Sequence, residues 1–338
     1  MKSEEREEMR RAILLFSLLL AVTFAASKFS VGILITGEIG GNAIYELVQR
    51  GALEMASEEI EIKIVEGGYN QSKWEQMLIS LAALGRYDLL MTFTEGMPAS
   101  VNKVAEMFPN QKFALLDGII ENPLPNTYSV AFKDDEMTFL AGIFAALITS
   151  SSLPGANEEK VVGLIAGDTY PAMTNVMRPS FENGVKTVHP SIRVFFGVVG
   201  SWSDPARGSE LAAKQFDAGA DVILSIAGGS GIGVIEEASV RGKYVITVDS
   251  NMIALNPSVI LGSFLKHIDV LVKNTIADAK AGTLPFGTSK RVGIAEGMID
   301  YTHDDPNFVR NVPDDIRAQL AEWFEKIKAE GLPKINNE

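Results

Sequence analysis

From residue 29 onward, short apolar runs alternate with stretches in which apolar side chains recur every three or four positions. The runs are rich in Val, Ile, Leu and Phe. They predict strands over 31–35, 60–65, 88–92, 113–116 and 128–132, then over 161–165, 193–198, 222–225, 244–248 and 259–262. The longer period predicts helices over 42–57, 73–84, 99–108, 174–187, 205–218, 233–239 and 266–281. A last helix over 314–331 carries Leu320, Trp323, Phe324 and Ile327 on one stripe, which suits packing against a lobe. Unbroken apolar strands alternating with helices predict parallel sheets covered on both faces.

A Ser-, Pro- and Gly-containing stretch at 150–155 divides the alternation into two similar α/β units, and 338 residues exceed one ordinary core. The expected fold is therefore α/β: two doubly wound, Rossmann-like lobes joined by a hinge. Residues 27–132 with about 263–287 would form lobe 1, and 133–262 with about 288–338 lobe 2. On these boundaries Asp249 and Lys266 fall on opposite sides of the hinge. Sheets of this kind bind ligands beyond the carboxyl ends of their strands. That rule nominates Thr36, Gly37, Thr94, Glu95, Asp117, Asp168, Gly228, Gly229 and Asp249.

The densest signal is 221–249, a strand, a glycine loop (G-G-S-G-I-G over 228–233), a helix, and a second strand ending on Asp249. Three readings compete. The loop can line a cleft for a ligand with hydroxyls. It can be a dinucleotide fingerprint, although it never satisfies G-x-G-x-x-G in register. Or its glycines can simply permit close packing of a helix.

Composition narrows the class. Apolar residues make up 46% and charged residues 22%, which is globular. The net charge of −13 and the lack of any basic block argue against nucleic acid and against an anionic membrane surface. There is no cysteine, which excludes disulfides, thiol catalysis and a lipid anchor on cysteine; three scattered histidines make a metal centre implausible. Residues 1–26 read as a secretory signal peptide: Arg10 and Arg11 precede an apolar run over 12–22 and small residues follow, with Met1 or Met9 as the start. The expectation is an exported, monomeric protein.

Several segments in one order carry a resemblance: 113–118 (F-A-L-L-D-G), 130–147 (V-A-F-K-D-D-E-M-T-F-L-A-G-I-F-A-A-L), 200–208 (G-S-W-S-D-P-A-R-G), 228–234, 248–250 (V-D-S) and Lys266. The chain resembles the basic membrane protein family of ABC-importer solute-binding proteins, which includes purine nucleoside receptors. The resemblance runs from about residue 31 to 281. It implies a type I periplasmic-binding-protein clamshell, no cofactor, no enzymatic activity, and an ABC permease and ATPase as partners. It further implies that Asp249 and Lys266 hold ribose hydroxyls and that Asp117 reads a purine edge. The chain departs from the family pattern where aromatic residues are expected. Strand one ends at Thr36, the following loop offers Asn42, Ile44 and Tyr45, Met177 stands near a second stacking position, and Glu95 occupies a place usually apolar. A purine nucleoside is the first-choice ligand, with another base, riboflavin or a simple sugar as competitors. A nucleotide-dependent enzyme is the opposing class, against which stands the lack of a G-x-S-x-G elbow or metal triad.

Milder readings accompany the site residues. Asp117 could cap a turn before Gly118, and Lys266 could be a solvated residue opening a helix. The acidic run 134–136 reads as a favourable first helical turn without chemistry, Trp202 as packing, and Asp204 with Pro205 as a helix start.

Overall fold

The computed structural model describes residues 28–40 and 42–333; the signal-peptide reading over 1–26 lies outside them. The first half runs β1 (Phe29–Ile35), α1 (Ala43–Met55), β2 (Ile60–Glu66), α2 (Trp74–Ala83), β3 (Leu89–Phe93), α3 (Pro98–Met107), β4 (Lys112–Leu116) and β5 (Thr127–Phe132). The second half runs α4 (Asp134–Thr149), β6 (Val161–Ala166), α5 (Arg178–Val188), β7 (Arg193–Val198), α6 (Pro205–Asp217), β8 (Ala220–Ile226), α7 (Gly231–Arg241), β9 (Tyr244–Asp249) and β10 (Ile260–Lys266). After these come α8 (Ile268–Ala281), β11 (Thr288–Val292), β12 (Ile299–Tyr301), α9 (Pro306–Asn311) and α10 (Asp314–Glu330).

Two six-stranded sheets result, in the orders β11-β5-β4-β3-β1-β2 and β12-β10-β9-β8-β6-β7. Strands β3 and β8 are buried along their whole length, as the apolar runs require of strands covered on both faces. The two lobes are thus parallel α/β layers of the expected class.

The lobe boundaries differ from the sequence expectation. All of β10, including Ser263 to Lys266, belongs to the second sheet, and β11 belongs to the first. The chain therefore crosses between lobes at Lys133, at His267 and through 293–298. Lys266 and Asp249 sit on neighbouring strands of one lobe, with Leu265 paired to Asp249. Nor does Lys266 open a helix, because it is the last residue of β10.

Backbone and side-chain bonds tie the crossovers together. Lys133 N donates to Val292 O at 2.8 Å, and His267 N donates to Met298 O at 2.9 Å. Glu136 accepts from Ile294 N at 2.8 Å and Glu296 from Gly293 N at 2.7 Å. The Lys133 ammonium lies between the two carboxylates, 3.4 Å from Glu136 and 3.1 Å from Glu296. Residues 134–136 therefore do more than begin a helix.

Helix α4 is apolar around its circumference, and it is buried on every side against β6, β8 and α5. Its contact with α5 requires two glycines. A Cβ on Gly184 would lie 2.0 Å from Phe139 O, and one on Gly142 would lie 2.3 Å from Phe181 O. Backbone atoms on both sides leave no rotamer to give way. The stripe of α10 packs on the same lobe, with Trp323 edge-on to Phe139 at 5.9 Å and Phe324 against Tyr301 at 5.2 Å.

Gly184→Val should force these helices apart and cost about 2–4 kcal/mol, as overpacking against backbone does. Denaturant titration of the variant beside wild type checks this; an unchanged midpoint would contradict the close crossing.

Candidate functional site

Strand ends converge between the lobes, and three of the residues there hold strained backbone. Thr94 follows β3 with φ 76°, Asp117 follows β4 with φ 58°, and Asp249 ends β9 with φ 73°. Left-handed conformations are costly for residues other than glycine, especially for a β-branched threonine, and such strain clusters at functional sites. Gly118 shows why the turn is so tight: a Cβ there would meet Thr94 O at 2.7 Å.

The chemical centre is Lys266. Only 5% of its surface is exposed, and its ammonium lies 2.6 Å from Asp134 Oδ1 and 3.4 Å from Asp117 Oδ1. The Phe132 ring centroid is 5.1 Å away, adding a cation–π contact. Burial works to strip the proton from Lys266. The carboxylates of Asp117, Asp134 and Asp249 outweigh burial and hold its pKa well above the ordinary value. Asp117 comes from lobe 1 and the other two from lobe 2, so one buried charge joins both lobes. Asp134, taken from the sequence as an ordinary first-turn acid, is the nearest partner of that lysine.

Around one ammonium the carboxylates crowd each other. Burial pushes the Asp249 pKa up to about 6; Lys266 opposes the rise, and Asp117 and Asp134 add to it. Burial likewise raises Asp134, with Lys266 opposing. Glu95 is raised by burial, against a bond its Oε2 accepts from Ala172 N at 3.3 Å, a contact that crosses from lobe 1 to lobe 2.

Each lobe brings aromatic side chains near these charges. On lobe 1, the Tyr45 hydroxyl is 2.9 Å from Thr36 Oγ1 and donates to Thr36 O at 3.1 Å, so these two predicted contacts are largely spent on each other. Burial raises the Tyr45 pKa, and the charges of Asp117 and Asp249 reach it, which places its ring beside the floor. Tyr69, not nominated from the sequence, shares the surface above Gly37 with Tyr45 and is 40% exposed. On lobe 2, Tyr170 lies 5.9 Å from Trp202 and donates to Met177 Sδ at 3.4 Å. The Trp202 ring lies flat enough on Gly167 that a Cβ there would sit 2.4 Å from Cε3. Met177 ends a π-helical stretch, Met173–Met177, that leads into α5.

Other nominated residues have structural employment. Asn42 caps α1 through a bond from Ile44 N to its Oδ1 at 3.2 Å. Asp168 is exposed and accepts from Thr169 N at 2.7 Å. Gly228 takes φ 54° beside Trp202, and Gly229 follows it in a single tight turn. Gly233 permits α7 to meet α6, since a Cβ there would lie 1.8 Å from Pro205 O. Asp204 N-caps α6 by accepting from Arg207 N at 3.0 Å, as its sequence position suggested. Among the described residues no group of three or more His, Cys, Asp or Glu could hold a metal ion, and no helix is long and apolar enough to cross a membrane.

The crowding predicts how the empty site responds to pH. Asp249 binds its proton more tightly folded than unfolded, so between about pH 4 and 6 folding takes up a proton and stability falls as pH rises. Above pH 6 the ionised carboxylate is a liability that Asp249→Asn removes, and asparagine also tolerates positive φ better. The variant should melt a few degrees above wild type at pH 7.5, reflecting roughly 1–2 kcal/mol, with the gain shrinking below pH 5. Calorimetry at the two pH values decides it; a gain that grows on acidification would mean Asp249 is not held in the field of its neighbours.

Known proteins share both fold and sequence with this chain. A solute-binding protein of an ABC transporter system from Aeropyrum pernix K1 superposes with a TM-score of 0.81 at 22% identity, covering 92% of this chain and 94% of that one. One from Conexibacter woesei reaches 0.69 at 20% identity, covering 91% and 98%. These establish a type I periplasmic-binding-protein fold. In sequence, Basic membrane protein A of Borreliella burgdorferi is 26% identical over 95% of this chain and 94% of its own length. The ABC transporter nucleoside-binding protein BmpA of Lactococcus lactis subsp. cremoris is 28% identical over 64% of each. The model of the family described as "ABC transporter substrate-binding protein PnrA-like" matches residues 28–332, so the chain belongs to that family and is a solute-binding protein, not an enzyme.

Proposed function

We propose that this protein binds a nucleoside between its lobes, a purine nucleoside before others, and presents it to an ABC permease outside the cytoplasm. The observation that carries the reading is the placement of Asp249 and Lys266 at the ends of adjacent strands, with Asp117 reaching Lys266 from lobe 1. A carboxylate can accept from two vicinal hydroxyls while a neighbouring ammonium donates to their oxygens. Tyr45 and Tyr69 on one wall, and Tyr170 and Trp202 on the other, supply faces between which a base can stack, although the loop after β1 lacks a phenylalanine. The relative named as nucleoside-binding agrees with this ligand class.

The lobe assignment changes how the ligand would act. Asp249 and Lys266 belong to one lobe and on this reading would hold the sugar before closure, so closure would depend on what Asp117, Glu95 and the lobe 1 tyrosines add. Binding that recruits both lobes favours the closed form and stabilises the fold by mass action.

Isothermal titration against nucleosides, riboflavin and simple sugars tests the reading. Asp249→Ala should weaken a nucleoside by roughly 30- to 1,000-fold, about 2–4 kcal/mol, through loss of charge-assisted bonds. Wild-type affinity should hold above pH 7 and fall by up to about tenfold per pH unit below 6, as protonation of Asp249 competes with the hydroxyls. Unchanged affinity in the variant would place the sugar elsewhere. Small-angle scattering should show compaction with ligand; its absence with a stabilising ligand bound would refute closure.

A further inference from the structure

We propose that Glu95 determines which ligands the cleft accepts, selecting a base that turns paired N–H donors towards it, as the N1–H and 2-amino edge of guanine does. This rests on the nucleoside reading above and adds a discriminating residue to it.

Glu95 follows strained Thr94 at the end of β3, which fixes where its side chain begins. One carboxylate oxygen, Oε2, accepts from Ala172 N of the opposite lobe. The other, Oε1, is buried and accepts no hydrogen bond from the protein. A buried carboxylate oxygen without a donor is expensive, and Glu95 differs from Asp221, whose unpaired oxygen lies in the core, in standing between the lobes where a ligand can supply the donor. Nearby groups cannot serve it. Two of the three Lys266 N–H donors face Asp134 and Asp117 and the nucleoside reading assigns the third to the ribose, while the Tyr170 hydroxyl is directed to Met177. Asp117 and Asp134 instead add negative potential at Glu95, and Lys266 relieves it only in part.

Four carboxylates, Glu95, Asp117, Asp134 and Asp249, thus share one ammonium. A ligand that turned a carbonyl oxygen towards Glu95 would set acceptor against acceptor. One that brings two adjacent N–H groups satisfies Oε1 and the remaining lone pair of Oε2 together, and does so only when the lobes are closed enough for Ala172 to hold the carboxylate in place. A site with buried acceptors rejects a ligand lacking the matching donors far more strongly than a greasy pocket rejects a missing methyl group. Guanosine and inosine differ by the 2-amino group, so they measure this contact directly.

Titration of the full chain with guanosine, inosine, adenosine and uridine tests the assignment. Wild type should prefer guanosine to inosine by about 10- to 100-fold, the range of a hydrogen bond to a charged group. Glu95→Gln keeps an oxygen for Ala172 N but loses the second acceptor, and it should reduce that preference to within about threefold, chiefly by weakening guanosine. A residue that merely latched the lobes would give equal losses for every nucleoside in the variant, and that result would overturn the proposal. So would equal binding of guanosine and inosine by wild type, a comparison that needs no variant to fold. If both bind equally and Asp249→Ala abolishes both, Glu95 is wrong and nucleoside binding stands. If no nucleoside binds, both readings fall.

Discussion

A lysine ammonium buried to 5% exposure cannot exist in this fold unless carboxylates surround it, and here those carboxylates come from both lobes. Much of the cleft follows from that requirement. To bring Asp117 and Asp249 to the same small volume, their strands end in left-handed turns that only neighbouring packing can hold. Having satisfied the lysine, the acids exceed it in number, so protons and ligand donors are drawn to the same spot. The cluster therefore holds more negative than positive groups around Lys266.

The sheets were legible in the sequence because strands buried on both faces must be predominantly apolar, as β3, β4, β6 and β8 are. The strands missed are β11 and β12. β11 reads T-S-K-R-V with three of its five side chains exposed, because an edge strand held by backbone pairing to β5 needs no apolar face. Missing it misplaced the crossovers, and with them Lys266. The apolar run of β10 ends in a charged residue next to a helix, and only the ladder to β9 shows which element owns it.

The sequence drew attention to residues whose chemistry is unusual for their position, such as Asp249 and Asp117 at strand ends, and the structure gathers both near Lys266. Illegible were residues whose local pattern already explains them. Asp134 satisfies a helix N-terminus so well that its bond to Lys266, a residue more than a hundred positions away, leaves no trace in its neighbours. Tyr69 and Tyr170 lie in loops without periodicity. In the glycine loop Gly233 serves helix packing, and Gly228 takes a left-handed turn beside Trp202. The departures at Thr36 and Tyr45 gain a physical account too, since the two hydroxyls bond each other and hold an aromatic ring in the wall.

The triple crossing of the chain between lobes has a mechanical consequence. One strand of polypeptide would let the lobes swing and twist freely, and two would still permit a twist about the line joining them. Three, braced to one another at Lys133, His267 and 293–298 by short bonds, would act like three pins of a door and favour bending over twisting. If the lobes close on a ligand, the state of the cleft would then be described by a single angle. Any solute that fits is translated into a value of that angle, and a membrane partner touching the outer rims of both lobes could sense occupancy without ever meeting the solute.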